Sequence, residues 1–403
     1  MNHSQALIAR AGPELELILR SARTVRSETN VEAIRAVVQS GLDWPHFLDA
    51  VEKHRVLPLV NDSLQGIEDS GIPGEVLETL RVRSKISRWR NNVYIEEIVR
   101  LNALLAARGI MVIHYKGPVT SAHVYGSPNL RSFSDLDFLV RHEDLNRALE
   151  TLIEQGYRLP ANHDPEAMSF HQRELKEYAL RKGPITLEPH WSITARRYPF
   201  EVDYAEFWQR ATSVNLQGKE LLTFSPDDLM LVLAVVGSKS KWERVQKVCD
   251  IAECARSSEH LDWMAIHGRA KAAGCERMLL LGLLLARELL DASLPEFLEA
   301  RIRQDRATGV LAEKVIDGYA LRNAAPALLP SAPHVFSSFL FQTRERPKEK
   351  LLYLLRTVTT PSTTHMRRMP LPAPLHPLYR VIGPIHDYVA HPIRQVFRRT
   401  KRA

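Results

Sequence analysis

Cysteine is scarce in this chain, with three among 403 residues: Cys249, Cys254 and Cys275. A small odd number without framework spacing excludes a secreted disulfide scaffold. Cys249 and Cys254 also lack the two-residue gap of a zinc knuckle, so reduced, buried thiols are expected. Long hydrophobic runs are missing as well. The most apolar stretch, Met278 to Ala286, is closed by Arg277 and Arg287 and is too short to span a bilayer, which marks it as a buried helix. The first residues mix Arg10, Glu14, Glu16, Arg20 and Arg23 with apolar positions, unlike a secretory leader. These absences together lead to an expected cytoplasmic location. The body shows no internal repeat and no basic groove with interleaved aromatics, so sequence-specific nucleic-acid recognition is not expected.

What is present is close to the globular average, with 45% hydrophobic and 25% charged residues. The length suffices for two or three domains. The net charge of +7 is concentrated at the C-terminal end, where nine Arg or Lys residues after Leu351 face a single acid, Asp387. The basic character therefore belongs to the tail and says little about the body. Arg394, Arg398, Arg399, Lys401 and Arg402 follow proline-interrupted apolar residues, Leu375, Leu378, Tyr379 and Tyr388 among them. Such a segment suits a soluble basic terminus, with weak contact to an anionic membrane surface as the alternative.

The pattern along the chain predicts an α+β fold that is mostly α. Residues 1–109 read as an N-terminal helical domain. Asp43 caps a helix through Phe47, Val51 and Val56, and a long helix runs from Pro73 towards Ala107 with Val76, Leu80, Ile86, Val93, Ile98, Leu101 and Leu105 as its apolar positions, ended by Gly109. The texture changes over 110–200. Ile110 to Tyr115 reads as a strand, Val119 to Tyr125 as a short helix entered through Pro118, and Phe133 to Val140 as a second strand. Glu143 to Gln155 is amphipathic, and Glu177 to Arg181 with Ile185 to His190 form a hairpin. Ser225 opens a C-terminal helical domain over 201–325, with Asp228 completing a capping box. Residues 326–403 form a proline-rich basic tail.

The chemistry-bearing segment is Ser134-Asp135-Leu136-Asp137-Phe138-Leu139-Val140. On a strand, Asp135 and Asp137 project from one face, because side chains alternate with period two. Paired carboxylates repel unless a cation lies between them, and hard oxygen ligands at this spacing suit Mg²⁺, with Mn²⁺ as its substitute. Alone, such a pair is more often two surface acids at a strand end. Two further features alter that balance. Lys116-Gly117 sits at a strand-to-helix turn, where free amides bind phosphate. Glu188, near the end of a hairpin strand beside Pro189, would add a third carboxylate and complete a two-metal site.

In that order, Lys116-Gly117, Arg131-Ser132-Phe133-Ser134-Asp135-Leu136-Asp137 and Glu188-Pro189-His190-Trp191 resemble the bacterial family described as uncharacterised nucleotidyltransferases, related to the polymerase β palm. Gly237-Ser238-Lys239 with Trp242, and Asp250-Ile251-Ala252, extend the likeness over most of the chain. The resemblance implies a small nucleotidyltransferase palm sheet over 110–200, flanked by the two helical domains. It further implies that Asp135, Asp137 and Glu188 bind metal and are catalytic, that Gly117 lies against a triphosphate, and that Lys116, Arg131, Ser134 and Lys239 contact nucleotide. For Arg131 a structural ion pair is the competing reading. Lys239, Lys241, Arg244 and Lys247 are expected on one helix, either closing over the triphosphate or forming a solvated face with Lys247 paired to Asp250.

The implied reaction moves a nucleoside monophosphate from a nucleoside triphosphate to a small-molecule, sugar, peptide or protein acceptor. Pro118 departs from the Gly-Ser usual at the wider superfamily's phosphate turn, removing a hydroxyl and one N–H. That favours, as a second reading, a degenerate nucleotide- or partner-binding protein. A glycosyltransferase using Asp135 and Asp137 ranks lower.

Overall fold

A computed structural model describes residues 12–159, 171–198, 200, 202–257, 261–324 and 336–360, with isolated positions at 375, 378, 379 and 382. The basic tail lies largely outside them. Among the described residues no helix is long and apolar enough to cross a membrane.

Four helices lead: α1 (Pro13–Ser21), α2 (Glu28–Gln39), α3 (Trp44–Lys53) and α4 (Leu57–Gln65). Asp43 caps α3 by accepting from the His46 amide at 2.9 Å. The long helix α5 follows (Gly74–Ala107), then β1 (Val112–His114), α6 (Gly117–Tyr125), β2 (Leu136–Val140) and α7 (Leu145–Glu154). The hairpin is β3 (Leu180–Lys182) and β4 (Ile185–His190). A short helix α8 (Tyr204–Gln209) leads to a second hairpin, β5 (Thr212–Leu216) and β6 (Lys219–Thr223). Then come α9 (Pro226–Lys239), α10 (Val245–Ser257), α11 (Trp263–Ala272), α12 (Glu276–Leu290), α13 (Glu296–Gln304), α14 (Arg306–Ala324), α15 (Ser338–Gln342) and α16 (Pro347–Thr359).

The main sheet has the order β1-β2-β4-β3. β1 runs antiparallel to β2, β2 parallel to β4, and β4 antiparallel to β3. Alternation sends the two faces of β2 to different cores. Leu139, with Ile113 and Tyr115, joins a core built from α1–α4 and the helices from α9 onward. Leu136, Phe138 and Val140 join a second core with Leu101 and Leu105 of α5 and Leu149 of α7. The N-terminal and C-terminal helices thus share one apolar interior. It is tied by Arg23 to Asp291 at 2.9 Å and by the Thr24 amide to Glu253 at 3.2 Å. All three cysteines are free and buried.

Three local expectations need correction. β2 begins at Leu136, so Phe133 to Asp135 is not strand. Carbonyls of the loop from Arg131 to Ser134 are taken by side chains instead: Asn91 donates to Arg131 O, Gln246 to Ser132 O, and Tyr94 Oη to Ser134 O. Helix does not continue from Lys239 to Lys247. α9 stops at Lys239 and the chain reverses through Lys241 and Trp242, both left-handed at φ 57° and 52°. The reversal drives the Trp242 ring fully inside, against two glycines. Ile86, expected on the buried face of α5, is 62% exposed. The β5–β6 hairpin turns at Gln217-Gly218, both at positive φ, the geometry of a tight two-residue connection.

A methyl group added at Gly237 would lie 2.5 Å from Trp242 ring atoms, and one at Gly282 would lie 2.8 Å away. Gly237→Ala is therefore expected to destabilise the chain by about 1–3 kcal/mol through overpacking. Combining it with Trp242→Leu should restore part of that loss. Chemical denaturation of the single and double variants checks both.

Candidate active site

β2 carries Asp137 to a position only 2% exposed. The parallel register sets Asp137 directly opposite Glu188 on β4. Two residues further on, His190 shares the face of Glu188. Its Nε2 meets Asp137 Oδ1 at 3.0 Å and lies 3.8 Å from Glu188 Oε2, while Nδ1 faces Glu177 Oε2 at 3.3 Å. Lys116, just past β1, donates from Nζ to the same Asp137 oxygen at 2.5 Å. Among the described residues, ligand atoms of Asp137, Glu188 and His190 all fall within 4.8 Å of one another and could hold a metal ion.

The charge balance follows from this packing. Burial alone would push the Asp137 carboxyl up, but Lys116 and His190 outweigh it and hold it well below the usual carboxylate range. Burial likewise opposes the charge of Lys116, yet Asp137 keeps its amine above the ordinary value. For His190, hydrogen bonds to Asp137 and Glu188 overcome burial and raise the imidazole. Asp135 behaves in the opposite sense. It sits at the bend preceding β2, half-buried, and burial followed by repulsion from Asp137 and Glu188 raises its pKa. Lys116 and Arg55 offset that only in part.

Two more amines converge here. Lys239, at the end of α9, has its pKa lowered by burial and by Lys116 and Arg197, against Glu177 and Asp137. Lys247, on α10, is brought down to about 8 by burial and by Lys116 and Arg131, against Glu243 and Asp250. Neither has an ion-pair partner among the described residues, and each feels the charge of Lys116; amines brought near one another in this way favour an anion. Lys241 is exposed and stands apart from them.

Gly117 opens α6 at φ 60°, left-handed, where an added methyl would meet only ordinary contacts. Its need for glycine is therefore conformational. Arg131 gives Nε and Nη2 to Asp250 at 2.9 and 3.0 Å, and Tyr125 Oη donates to the same carboxylate at 2.7 Å. The guanidinium expected as a phosphate contact is thus engaged in a buried structural pair, and Lys247 is not the partner of Asp250. Ser134 is exposed and receives a hydrogen bond from Arg55 Nη2 at 3.3 Å. Trp191 is buried and packs on Tyr178 with ring centroids 5.2 Å apart. Sequence reading alone missed Glu177 and Arg55. The alternation of Glu177 with the strand carried a weak signal for the first, and nothing local marked the second.

A family model described as an uncharacterised nucleotidyltransferase matches residues 40–291. No curated protein matches the chain. A solved structure, an antigenic nucleotidyltransferase-like protein from Paracoccidioides brasiliensis, is similar at 16% identity and a TM-score of 0.31, covering 55% of this chain and 92% of that one.

Opposite stability effects are expected from the two aspartates. Asp135→Asn should raise the melting temperature of the metal-free protein at pH 7. A carboxyl whose folded pKa is raised weakens folding above its unfolded pKa, and the amide removes that charge. Asp137→Asn should destabilise by an amount near the low end of about 3–5 kcal/mol, because it strands buried charge on Lys116 and His190. Thermal unfolding without metal reads both, and a shared sign would refute the assignment.

Proposed function

Because the chain belongs to the family of uncharacterised nucleotidyltransferases, we propose that it moves a nucleoside monophosphate from a nucleoside triphosphate to an acceptor with the aid of Mg²⁺. An acceptor oxygen forms a bond to the α-phosphorus, the bond to the β-phosphate oxygen breaks, pyrophosphate leaves with the electron pair, and the acceptor proton passes to solvent. The observation that carries this reading is the opposition of Asp137 and Glu188 on parallel strands, with Asp135 beside them raising the local negative potential. The converging donors fit a hard divalent ion: Asp137 and Glu188 supply oxygen and His190 a nitrogen, while Asp135, at the bend outside that group, is the third carboxylate of this reading. His190 is held on both ring nitrogens, by Asp137 and Glu177, and so fixes the orientation of the Asp137 carboxylate. Bound there, the ion would neutralise the triphosphate and lower the pKa of an acceptor hydroxyl.

The chain's own groups then have distinct tasks. Lys239 and Lys247 take phosphate oxygens, since neither has an ion pair among the described residues. Lys116 holds Asp137 ionised and turns to phosphate when the cation takes that carboxylate. The left-handed Gly117 brings the start of α6 close to the bend at Asp135. Pro118 supplies no N–H there, so the lysines carry more of the phosphate binding than backbone amides do.

Calorimetric titration of ATP, GTP, CTP and UTP with Mg²⁺ tests the reading. One nucleotide is expected to bind only with metal. Glu188→Gln should reduce turnover on that donor about a hundredfold, or about 2.7 kcal/mol. Absence of metal-dependent binding by a folded wild type would refute it and leave a partner-binding role.

A pH dependence follows from Lys247. The protonated amine binds phosphate, so nucleotide affinity should fall as pH rises through about 8. Lys247→Met should bind about tenfold more weakly at pH 7, about 1.4 kcal/mol, and lose that slope. Titrations from pH 7 to 9 check this, and parallel slopes in both proteins would count against it.

A further inference from the structure

A cavity of about 370 Å³ opens beside the acidic bend, between α5 and the loop that precedes β2. Its walls include Arg55, Arg83, Arg90, Ser87, Ile86 and Ser134. Resting on the transferase reading above, we propose that this cavity is the acceptor site and that it takes the phosphate monoester of a small, partly apolar acceptor.

Four observations support the assignment. The first is charge. Three guanidiniums and one carboxylate, Glu52, line the cavity, leaving two positive charges, the complement of a phosphate dianion. Arg83 lies 3.7 Å from Glu52, while Arg90 has no ion pair among the described residues. Guanidinium forks match phosphate oxygens in pairs. The second is an unsatisfied buried donor. Ser87 is 7% exposed, and its hydroxyl has no hydrogen-bond partner among the described residues. A buried polar atom of this kind is costly unless a ligand or water completes it.

The third is placement. Arg55 donates to the Ser134 hydroxyl at 3.3 Å and feels the field of Asp135, the next residue. An anion held by Arg55 therefore lies next to the carboxylates proposed to activate the acceptor. Arg55 itself is left-handed at φ 56°, an uncommon state for a residue with a Cβ. It is fixed there by Gln246 Nε2, which bridges its carbonyl and that of Ser132 at 3.1 and 2.8 Å. The fourth is apolar surface. Ile86, 62% exposed, and Phe133 line the same cavity. The volume suits a small molecule, at the lower end of ligand sites.

The test is calorimetric titration of the full chain with phenyl phosphate, using benzoate and phenol as controls. Wild type, Glu188→Gln and Arg83→Gln/Arg90→Gln are compared, each also titrated with nucleoside triphosphate and Mg²⁺. Both arginines are on the accessible side of α5, so that variant should fold. The expected result is millimolar or tighter binding of phenyl phosphate to wild type and Glu188→Gln, weakened at least tenfold in the arginine variant, with benzoate and phenol much weaker. Nucleotide binding should show the reverse sensitivity. Phenyl phosphate binding that is absent, equalled by benzoate, or indifferent to the arginines overturns the proposal while leaving the transferase reading intact. Loss of nucleotide binding in the arginine variant reassigns the cavity to the donor and also overturns it. Arginine-dependent phosphate binding by a chain that binds no nucleotide refutes the transferase reading and the acceptor role together.

Discussion

The negative charge of Asp137, almost wholly removed from water, is the constraint on which the rest of the site depends. A buried carboxylate persists only where partners replace its lost hydration. Lys116 and His190 do so from two different elements, the turn after β1 and the end of β4. Satisfying this one group therefore fixes the relative position of β1, β2 and β4. The strands of the sheet are short, of three to six residues, and their ladders alone would specify register weakly. The Asp137 contacts supply part of that specification, so the same interactions that keep this carboxylate ionised also align the sheet.

A second buried pair plays the complementary part. Arg131 and Asp250, joined by Tyr125, link the loop before β2 to α10 and α6. α10 also carries Lys247, and the preceding connection is pinned by Trp242 between Gly237 and Gly282. The elements that carry these amines are thereby positioned by packing and pairing outside the acidic group. Residues belonging to the recognisable motif thus divide into two kinds. Asp137, Glu188 and Lys116 meet in the acidic cluster, with Asp135 and Lys239 within reach of its field, whereas Arg131, Gly237, Trp242 and Asp250 are packed or paired around it.

Much of this was legible in the sequence, and the failures have identifiable causes. The α+β character, the long helix ended by Gly109 and the Asp43 cap rest on short-range rules and appear as expected. The approach of Asp137 to Glu188 came from the order of motifs, since strand pairing is non-local. Periodicity extended β2 too far because apolar Phe133 satisfies alternation equally well in a loop held by the side chains of Asn91, Tyr94 and Gln246. The break between Lys239 and Lys247 was hidden because left-handed Lys241 and Trp242 contradict their own propensities and are compelled by burial of the indole. Glu177 and Arg55 gained importance only from distant neighbours, which no spacing rule encodes.

The long helix α5 has a mechanical consequence. Its 34 residues measure about 50 Å at about 1.5 Å per residue. Val76 and Leu80 seat one end in the larger core, and Ile98, Leu101 and Leu105 seat the other in the smaller. Between these supports Val82, Ile86 and Trp89 face solvent. A beam clamped at both ends deflects most at mid-span, and that is the stretch bearing Arg83, Ser87 and Arg90. The wall of the arginine-lined cavity is thus the part of the rod farthest from either anchorage, and a load placed on it is shared between the two cores.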